Sequence, residues 1–218
     1  MTTQTLSLSR SRAERGRAAR GHTGASHSAS DRRCLGRIRA GDESAFAQFA
    51  GRHHPQMLRV ARCYVGGSAA AEEVTLEAWS AALRDLERFD ERTSPRLWLF
   101  RILTETAKRH AEREGSSPER GNDDSPGMGS PTSPRAAWDA ADRRRLGLLR
   151  KQGAIDEIIA DLPLGERLVL TLRDVCGWDA HEVAQLLAIS PARERTLLDG
   201  GRRRVHAALA ARLRPVAA

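Results

Sequence analysis

Ser190, Arg193, Arg195 and Thr196 fall within seven consecutive positions, and Arg202, Arg203 and Arg204 follow them. Hydroxyls and guanidinium groups in that pattern can hydrogen-bond to base edges and hold phosphates. A second set, Trp98, Arg101, Glu105, Lys108 and Arg109, puts one aromatic ring among cations along a stretch that opens at Ser94 and Pro95. That mix suits a ring that stacks on a base while its neighbours hold phosphates, and it equally suits a solvated helix face with one packed Trp. A third set, Glu72, Glu73 and Glu77, is an acidic patch near the start of another helical stretch, where negative charge also favours a helix N-terminus. No nucleophile, base and orienter converge in sequence and no phosphate-binding glycine loop is present, so the chain does not read as an enzyme.

The first set needs an element to aim it. Asp179 can cap a short helix from Ala180 to Leu187, with Glu182 three residues on to complete a capping box. Only Ala188 and Ile189 intervene before Ser190 offers a second cap and Pro191 takes the first helical position. Two helices joined by so short a turn cannot lie antiparallel, and Val183, Ala184, Leu187, Ile189 and Leu198 supply the apolar contact that holds them crossed. This is a helix-turn-helix pattern, whose second helix enters the DNA major groove by its N-terminal residues. Two packed surface helices are the plainer alternative.

Charge supports a nucleic-acid partner through its placement. The chain of 218 residues has a formal net charge of +8 and a pI near 10.7. Residues 1–33 hold seven Arg against Glu14 and Asp31, and residues 190–218 hold seven Arg against Glu194 and Asp199, so each end is +5 and the middle −2. A basic C-terminal helix is what a phosphate backbone attracts. Cys34, Cys63 and Cys176 are too far apart for a compact metal site and odd in number, which reads as reduced thiols in a cytoplasmic protein. No apolar run approaches a membrane span, and no cofactor or metal is expected.

In chain order, residues 1–30 are rich in Ser, Arg, Gly and Ala and read as a disordered basic tail. Helical pattern runs from Asp31 to Ala40, stops at Gly41, is capped again at Asp42 and continues through Phe46, Phe49, Met57 and Ala61, with Pro55 expected to bend or divide it. Gly66 and Gly67 end that stretch. Ser68 is expected to cap the next, to about Arg88, with Trp79, Leu83 and Leu86 as a core stripe. Beyond Ser94, Leu99, Ile102, Leu103 and Thr106 form the core side of a further helix. Pro118, Pro126, Pro131 and Pro134 mark residues 112–150 as a flexible linker. Pattern then runs from Ile155 through Val175 as one helix ended by Gly177. The expected fold is all-α: two small helical domains, 31–111 and 151–214, joined by that linker, the second containing the helix-turn-helix.

The residues filling this pattern resemble bacterial RNA polymerase sigma factors of the extracytoplasmic-function (ECF) type, in the sigma-70 family. GDESAFAQFAGRHHPQMLRVARCYVG with AAAEEVTLEAWSAALRDLERFD looks like that family's domain two. SPRLWLFRILTETAKRH looks like its promoter-reading helix, and LPLGERLVLTLRDVCGWDAHEVAQLLAIS like its domain four. The resemblance implies a factor that binds core RNA polymerase and directs promoter recognition and opening. It implies polymerase docking through the helix bearing Glu72, Glu73, Glu77 and Trp79. It implies minus-ten contact by Arg92, Arg96, Trp98, Arg101, Glu105, Lys108 and Arg109. Minus-thirty-five reading would fall to Ser190, Arg193, Arg195 and Thr196, with Arg202, Arg203 and Arg204 on phosphates. Core polymerase, promoter DNA and an anti-sigma factor are the implied partners, without membrane insertion. A sigma-like DNA-binding regulator, or an interaction module bound by an anti-sigma factor, are the rival readings. Against the family pattern, Leu76 replaces a Gln, Glu194 sits where an apolar residue packs, and Gly200 with Gly201 are expected to interrupt the recognition helix at about 1 kcal/mol each.

Overall fold

The computed structural model describes residues 28–114 and 154–212, and every regular element among them is helical. Four helices form the first unit: α1 (28–39), α2 (Glu43–Tyr64), α3 (Ser68–Asp85, followed by a 3-10 turn, Leu86–Arg88) and α4 (Pro95–Arg113). The second unit holds α5 (Ala154–Ala160), α6 (Leu164–Leu170), α7 (Ala180–Leu187) and α8 (Pro191–Arg212). The expected linker falls almost wholly outside the described residues, as do residues 1–27 of the expected tail. Residues 28–30 belong to α1.

Local chemistry explains most boundaries. Gly41, at φ +85°, ends α1, and Asp42 starts α2 by accepting the Ala45 N–H at 3.1 Å. Ser44 and Arg37 also donate to that carboxylate, at 2.7 and 2.6 Å, and together these bonds lower its pKa to about 2. Pro55 does not divide α2 into separate helices; it lies exposed inside a continuous helix, where it leaves the Gly51 C=O without its usual helical donor. Helix α3 is entered through Gly67 at φ +91°, and Ser68 does not cap it: the Ser68 hydroxyl instead accepts from Arg62 at 3.1 Å. The expected single helix from Ile155 to Val175 is two, because Pro163 breaks it, and α6 then widens into a π-turn (Thr171–Val175). Gly177, at φ +73°, ends that segment as its sequence position indicates.

Phe49, Met57, Val60, Val74, Leu99, Phe100 and Leu103 fill the first core, each at most 1% exposed. Trp79 joins them, edge-on to Phe46 and Phe49 at 5.5 and 5.9 Å, with its indole N–H donated to His54 Nδ1 at 3.2 Å. Asp31 of α1 is buried too. Its carboxylate takes Arg52 at 2.6 Å and His53 Nε2 at 2.8 Å, which fastens α1 to α2. The apolar core continues into the second unit, through Leu168, Val169, Leu172, Trp178, Val183 and Leu198. A smaller cluster, Ile158, Leu162, Leu170, Val205 and Leu209, packs α5 and α6 against the far half of α8.

Candidate nucleic-acid interface

Helix α7 begins with the full capping box: the Glu182 N–H reaches Asp179 Oδ1 at 2.9 Å and the Asp179 N–H reaches back to Glu182 Oε2 at 3.5 Å. Ala188 then takes φ +54°, a left-handed turn that redirects the chain within two residues. Ser190 Oγ accepts the Arg193 N–H at 3.1 Å and opens α8. Val183, Ala184 and Leu198 are buried where the helices cross, with Leu187 and Ile189 half-buried beside them. This crossing leaves Arg193, Arg195 and Thr196 exposed together at the start of α8.

Ion pairs also anchor α8 to the rest of the second unit. Glu194, 4% exposed, lies 3.0 Å from Arg173 Nε, so the carboxylate standing where an apolar residue was expected has a cation to meet, and burial pushes its pKa up. Arg202 grips Asp174 with two bonds, of 2.8 and 2.6 Å, and Arg204 meets Glu166 at 3.0 Å. Two of the three arginines expected on phosphates are thus engaged within the chain. Arg203 is exposed and has no ion pair among the described residues. Gly200 and Gly201 do not interrupt the helix; both are buried where α6 crosses α8. A Cβ on Gly200 would lie 2.7 Å from Glu166 Oε1, and one on Gly201 would lie 3.3 Å from Leu170 Cδ1. The pair is a close-approach surface.

On α4, Leu99, Leu103 and Thr106 face the core and Ile102 is half-buried, as the periodicity requires. Arg101, Glu105, Lys108 and Arg109 are exposed. Glu105 has Lys108 at 3.4 Å as its counter-charge. Trp98 is half-buried, its ring tilted 57° against Phe89 at 5.0 Å, so it sits firmly while keeping part of its surface open. Arg92 lies exposed in the preceding loop. Arg96 departs from this group. Its guanidinium lies 4.2 Å from the Trp178 ring and pairs with Glu182, both in the second unit.

The acidic helix divides likewise. Glu72 and Glu73 are exposed, whereas Glu77 is held by Arg109 and Arg113 at 3.8 and 3.6 Å. Trp79, expected on the docking face, is 7% exposed and belongs to the core. What sequence reasoning missed is on the outside: Leu76 and Leu83 are 61% and 47% exposed. At 100° per residue they fall, with Glu72, Ser80 and Glu73, within one narrow arc of α3. The spacing of Leu76 and Leu83, two turns apart with Val74, Ala78 and Ala82 already supplying the inner face, was the available signal.

A helix-turn-helix with exposed arginines, and a separate helix mixing Trp with cations, give the chain two surfaces of the kind that suits DNA. A family model described as sigma-70 region 2 matches residues 49–117. The ECF RNA polymerase sigma-E factor of Escherichia coli is 26% identical over 163 residues, covering 74% of this chain and 85% of its own. The RNA polymerase sigma-H factor of Pseudomonas aeruginosa is 25% identical over 186 residues, covering 84% and 96%. Two solved structures share the fold. One is CnrH in complex with the cytosolic domain of CnrY (TM-score 0.57, 23% identity, 84% of this chain and 98% of that one). The other is the sigma factor RpoE of Bartonella quintana in complex with the anti-sigma factor NepR (TM-score 0.55, 15% identity, 78% and 98%). Residues 49–117 thus match region 2 of the sigma-70 family, and over most of its length the chain is similar to ECF sigma factors. No helix among the described residues is long and apolar enough to cross a membrane.

Proposed function

We propose that this chain binds core RNA polymerase and directs promoter recognition and opening, as its similarity to ECF sigma factors implies. The observation that carries polymerase docking is the outer face of α3, where exposed Leu76 and Leu83 stand with Glu72 and Glu73. Two exposed leucines on one helix face, rimmed by carboxylates, suit a partner helix that is apolar along its middle and basic at its edge. In this reading Arg193, Arg195 and Thr196 read duplex bases at the minus-thirty-five element, with Ser190 shaping the start of their helix. Arg203 holds phosphate. Trp98 stacks on an unpaired base of the minus-ten element while Arg92, Arg101, Lys108 and Arg109 hold the opened strand. Such a factor works in the cytoplasm, forms no covalent intermediate and acts by holding DNA and polymerase in register. An anti-sigma factor is its expected inhibitor, a reading supported by one structural neighbour, the sigma factor RpoE in complex with the anti-sigma factor NepR.

The test is to mix the chain with core polymerase of its own host, look for a complex by size exclusion, and assay run-off transcription. The parent chain is expected to form a stable complex. The variant Leu76→Arg with Leu83→Arg is expected to bind at least tenfold more weakly while keeping its helical circular dichroism. A double variant that binds as tightly as the parent overturns the assignment of the α3 face.

A further inference from the structure

A cavity of about 590 Å³ lies where the end of α2 and the entry to α3 face α5 and the π-turn. Sites for small ligands occupy roughly 300–1,000 Å³, so a body of nucleotide size fits. Its charge is one-sided. Arg59, Arg62 and Arg167 line it against one carboxylate, Asp156. Arg167 donates to two uncharged carbonyls, Leu162 O at 2.9 Å and Cys63 O at 3.2 Å, which fix the guanidinium without neutralising it. Arg62 donates to the Ser68 hydroxyl at 3.1 Å, equally uncharged, and Arg59 has no ion pair among the described residues. Elsewhere the arginines that face a neighbouring element meet carboxylates, as Arg52, Arg96, Arg173, Arg202 and Arg204 do. Here the chain supplies almost no acid of its own. Helix α3 also begins at the rim of the cavity, through Gly67 and without a side-chain cap, so its first N–H groups add donors.

We propose that this cavity binds a phosphorylated small molecule of nucleotide size, its di- or triphosphate held by Arg59, Arg62 and Arg167 and its base set against Ile159 and Val175. Guanidinium forks match phosphate oxygens two at a time, and three of them facing a single carboxylate favour a ligand with at least two negative charges. Half-buried Ile159 and Val175, with Val65, supply an apolar wall for the rest of the molecule. The cavity binds its ligand without transforming it. Cys63 is 4% exposed, and burial pushes its thiol up to about 11, so the sulfur is neither a nucleophile nor a competing anion. No residue that lines the cavity is assigned above to polymerase or DNA, so the site stands apart from the sigma-factor reading.

The test titrates the full chain, freed of nucleic acid, with ADP by isothermal titration calorimetry at physiological ionic strength. One ADP per chain is expected to bind with micromolar affinity, inorganic pyrophosphate to compete with it, and inorganic phosphate to bind at least tenfold more weakly. Arg59→Glu with Arg62→Glu is expected to weaken ADP at least tenfold, and Asp156→Asn to tighten it severalfold, in samples whose circular dichroism matches the parent. If the double reversal does not fold, Arg59→Gln with Arg62→Gln takes its place. Arg32→Glu with Arg33→Glu makes the same change of charge on exposed residues of α1, outside the cavity, and is expected to bind ADP as the parent does. No saturable ADP binding overturns the proposal. An equal loss in the α1 variant overturns it too, because it shows only the general attraction of an anion to a basic chain, and binding untouched by the cavity variants places ADP elsewhere. ADP bound no tighter than phosphate removes the apolar half of the site and with it the nucleotide class. A DNA oligomer whose binding falls with the cavity variants, where ADP does not bind, assigns these cations to a nucleic-acid backbone and the proposal falls.

Discussion

Alanine at Gly200 and Gly201 separates two accounts of α8 by sign. If the pair only weakens the helix, each replacement stabilises by about 1 kcal/mol. The packing says otherwise. At Gly201 the new Cβ would stand 3.3 Å from Leu170 Cδ1 and 3.4 Å from the Glu166 C=O. Leu170 is 3% exposed inside the cluster of Ile158, Leu162, Val205 and Leu209, and the carbonyl is fixed in α6, so the two helices must part. At Gly200 the Cβ would meet Glu166 Oε1 at 2.7 Å, and that carboxylate must swing away from Arg204. Arg204 is 62% exposed, so this ion pair accounts for no more than about 1 kcal/mol. Overpacking costs roughly 1–3 kcal/mol per site, against about 1 kcal/mol regained in helix propensity. The alanine at Gly201 should therefore destabilise by about 1 kcal/mol, whereas at Gly200 the lost pair and the regained propensity of about 1 kcal/mol nearly cancel. For a unit of this size 1 kcal/mol lowers the melting midpoint by roughly 4–8 °C. Thermal melts of the full chain by circular dichroism measure it, and a midpoint that rises for the Gly201 alanine refutes the close-packing account.

Two further outcomes follow from buried and bridged carboxylates. Asp31→Asn is expected to destabilise the first unit by about 2–3 kcal/mol, below the usual figure for breaking a buried pair because Arg52 is 32% exposed, with urea unfolding as the assay and a loss under 1 kcal/mol as the contrary result. In acid, Asp42 and Glu182 should titrate on opposite sides of their ordinary values. The Ser44 hydroxyl, Arg37 and the Ala45 amide hold Asp42 at about 2, so its contribution to stability is complete above 3.8 and is lost as pH falls through about 2. Burial raises Glu182, so its contribution has the opposite sign: it favours the fold at pH below the ordinary value of 4.5 and fades as pH rises through the raised one. Carboxyl NMR titration reads both, and Glu182 protonating below 4.5 would contradict its burial.

Caps and turns were legible because their chemistry is local. Asp42, Asp179, Ser190, Gly41 and Gly177 each act on residues within a few positions, and the helix-turn-helix follows from three of them. Trp79 and Leu86 are buried as the expected stripe requires, but Leu83 was misplaced because period alone does not say which of two adjacent stripes faces inward. The alanines at 71, 78 and 82 let α3 lie close to its neighbours, so its small side turned in and Leu83 out. Gly200 and Gly201 look like helix breakers in isolation and become a packing surface only when α6 lies across them. The Trp178 contacts join residues as much as 122 positions apart, and no spacing rule reaches that far.

The same ion pairs that fix the second unit limit what it can do alone. Of its arginines, Arg202 and Arg204 are engaged by Asp174 and Glu166, and Arg173 by Glu194. Arg193, Arg195 and Arg203 are exposed and have no ion pair among the described residues. Three phosphate contacts release few counterions, corresponding to a salt slope of about −3 in logarithmic units. That is the electrostatics of a weak duplex binder. Arg92 and Arg101 add little more on the other unit, and Arg96 is turned inward. A chain built this way gains promoter selectivity when a third body holds its two readers at a set spacing, so that each modest contact acts at the effective concentration created by the other. The basic charge of +8 is therefore a poor guide to DNA affinity here. Residues 1–33 alone carry +5 of it, the arginines that clamp the recognition helix are balanced by carboxylates, and the effective concentration set by a third body decides whether the few remaining cations are enough.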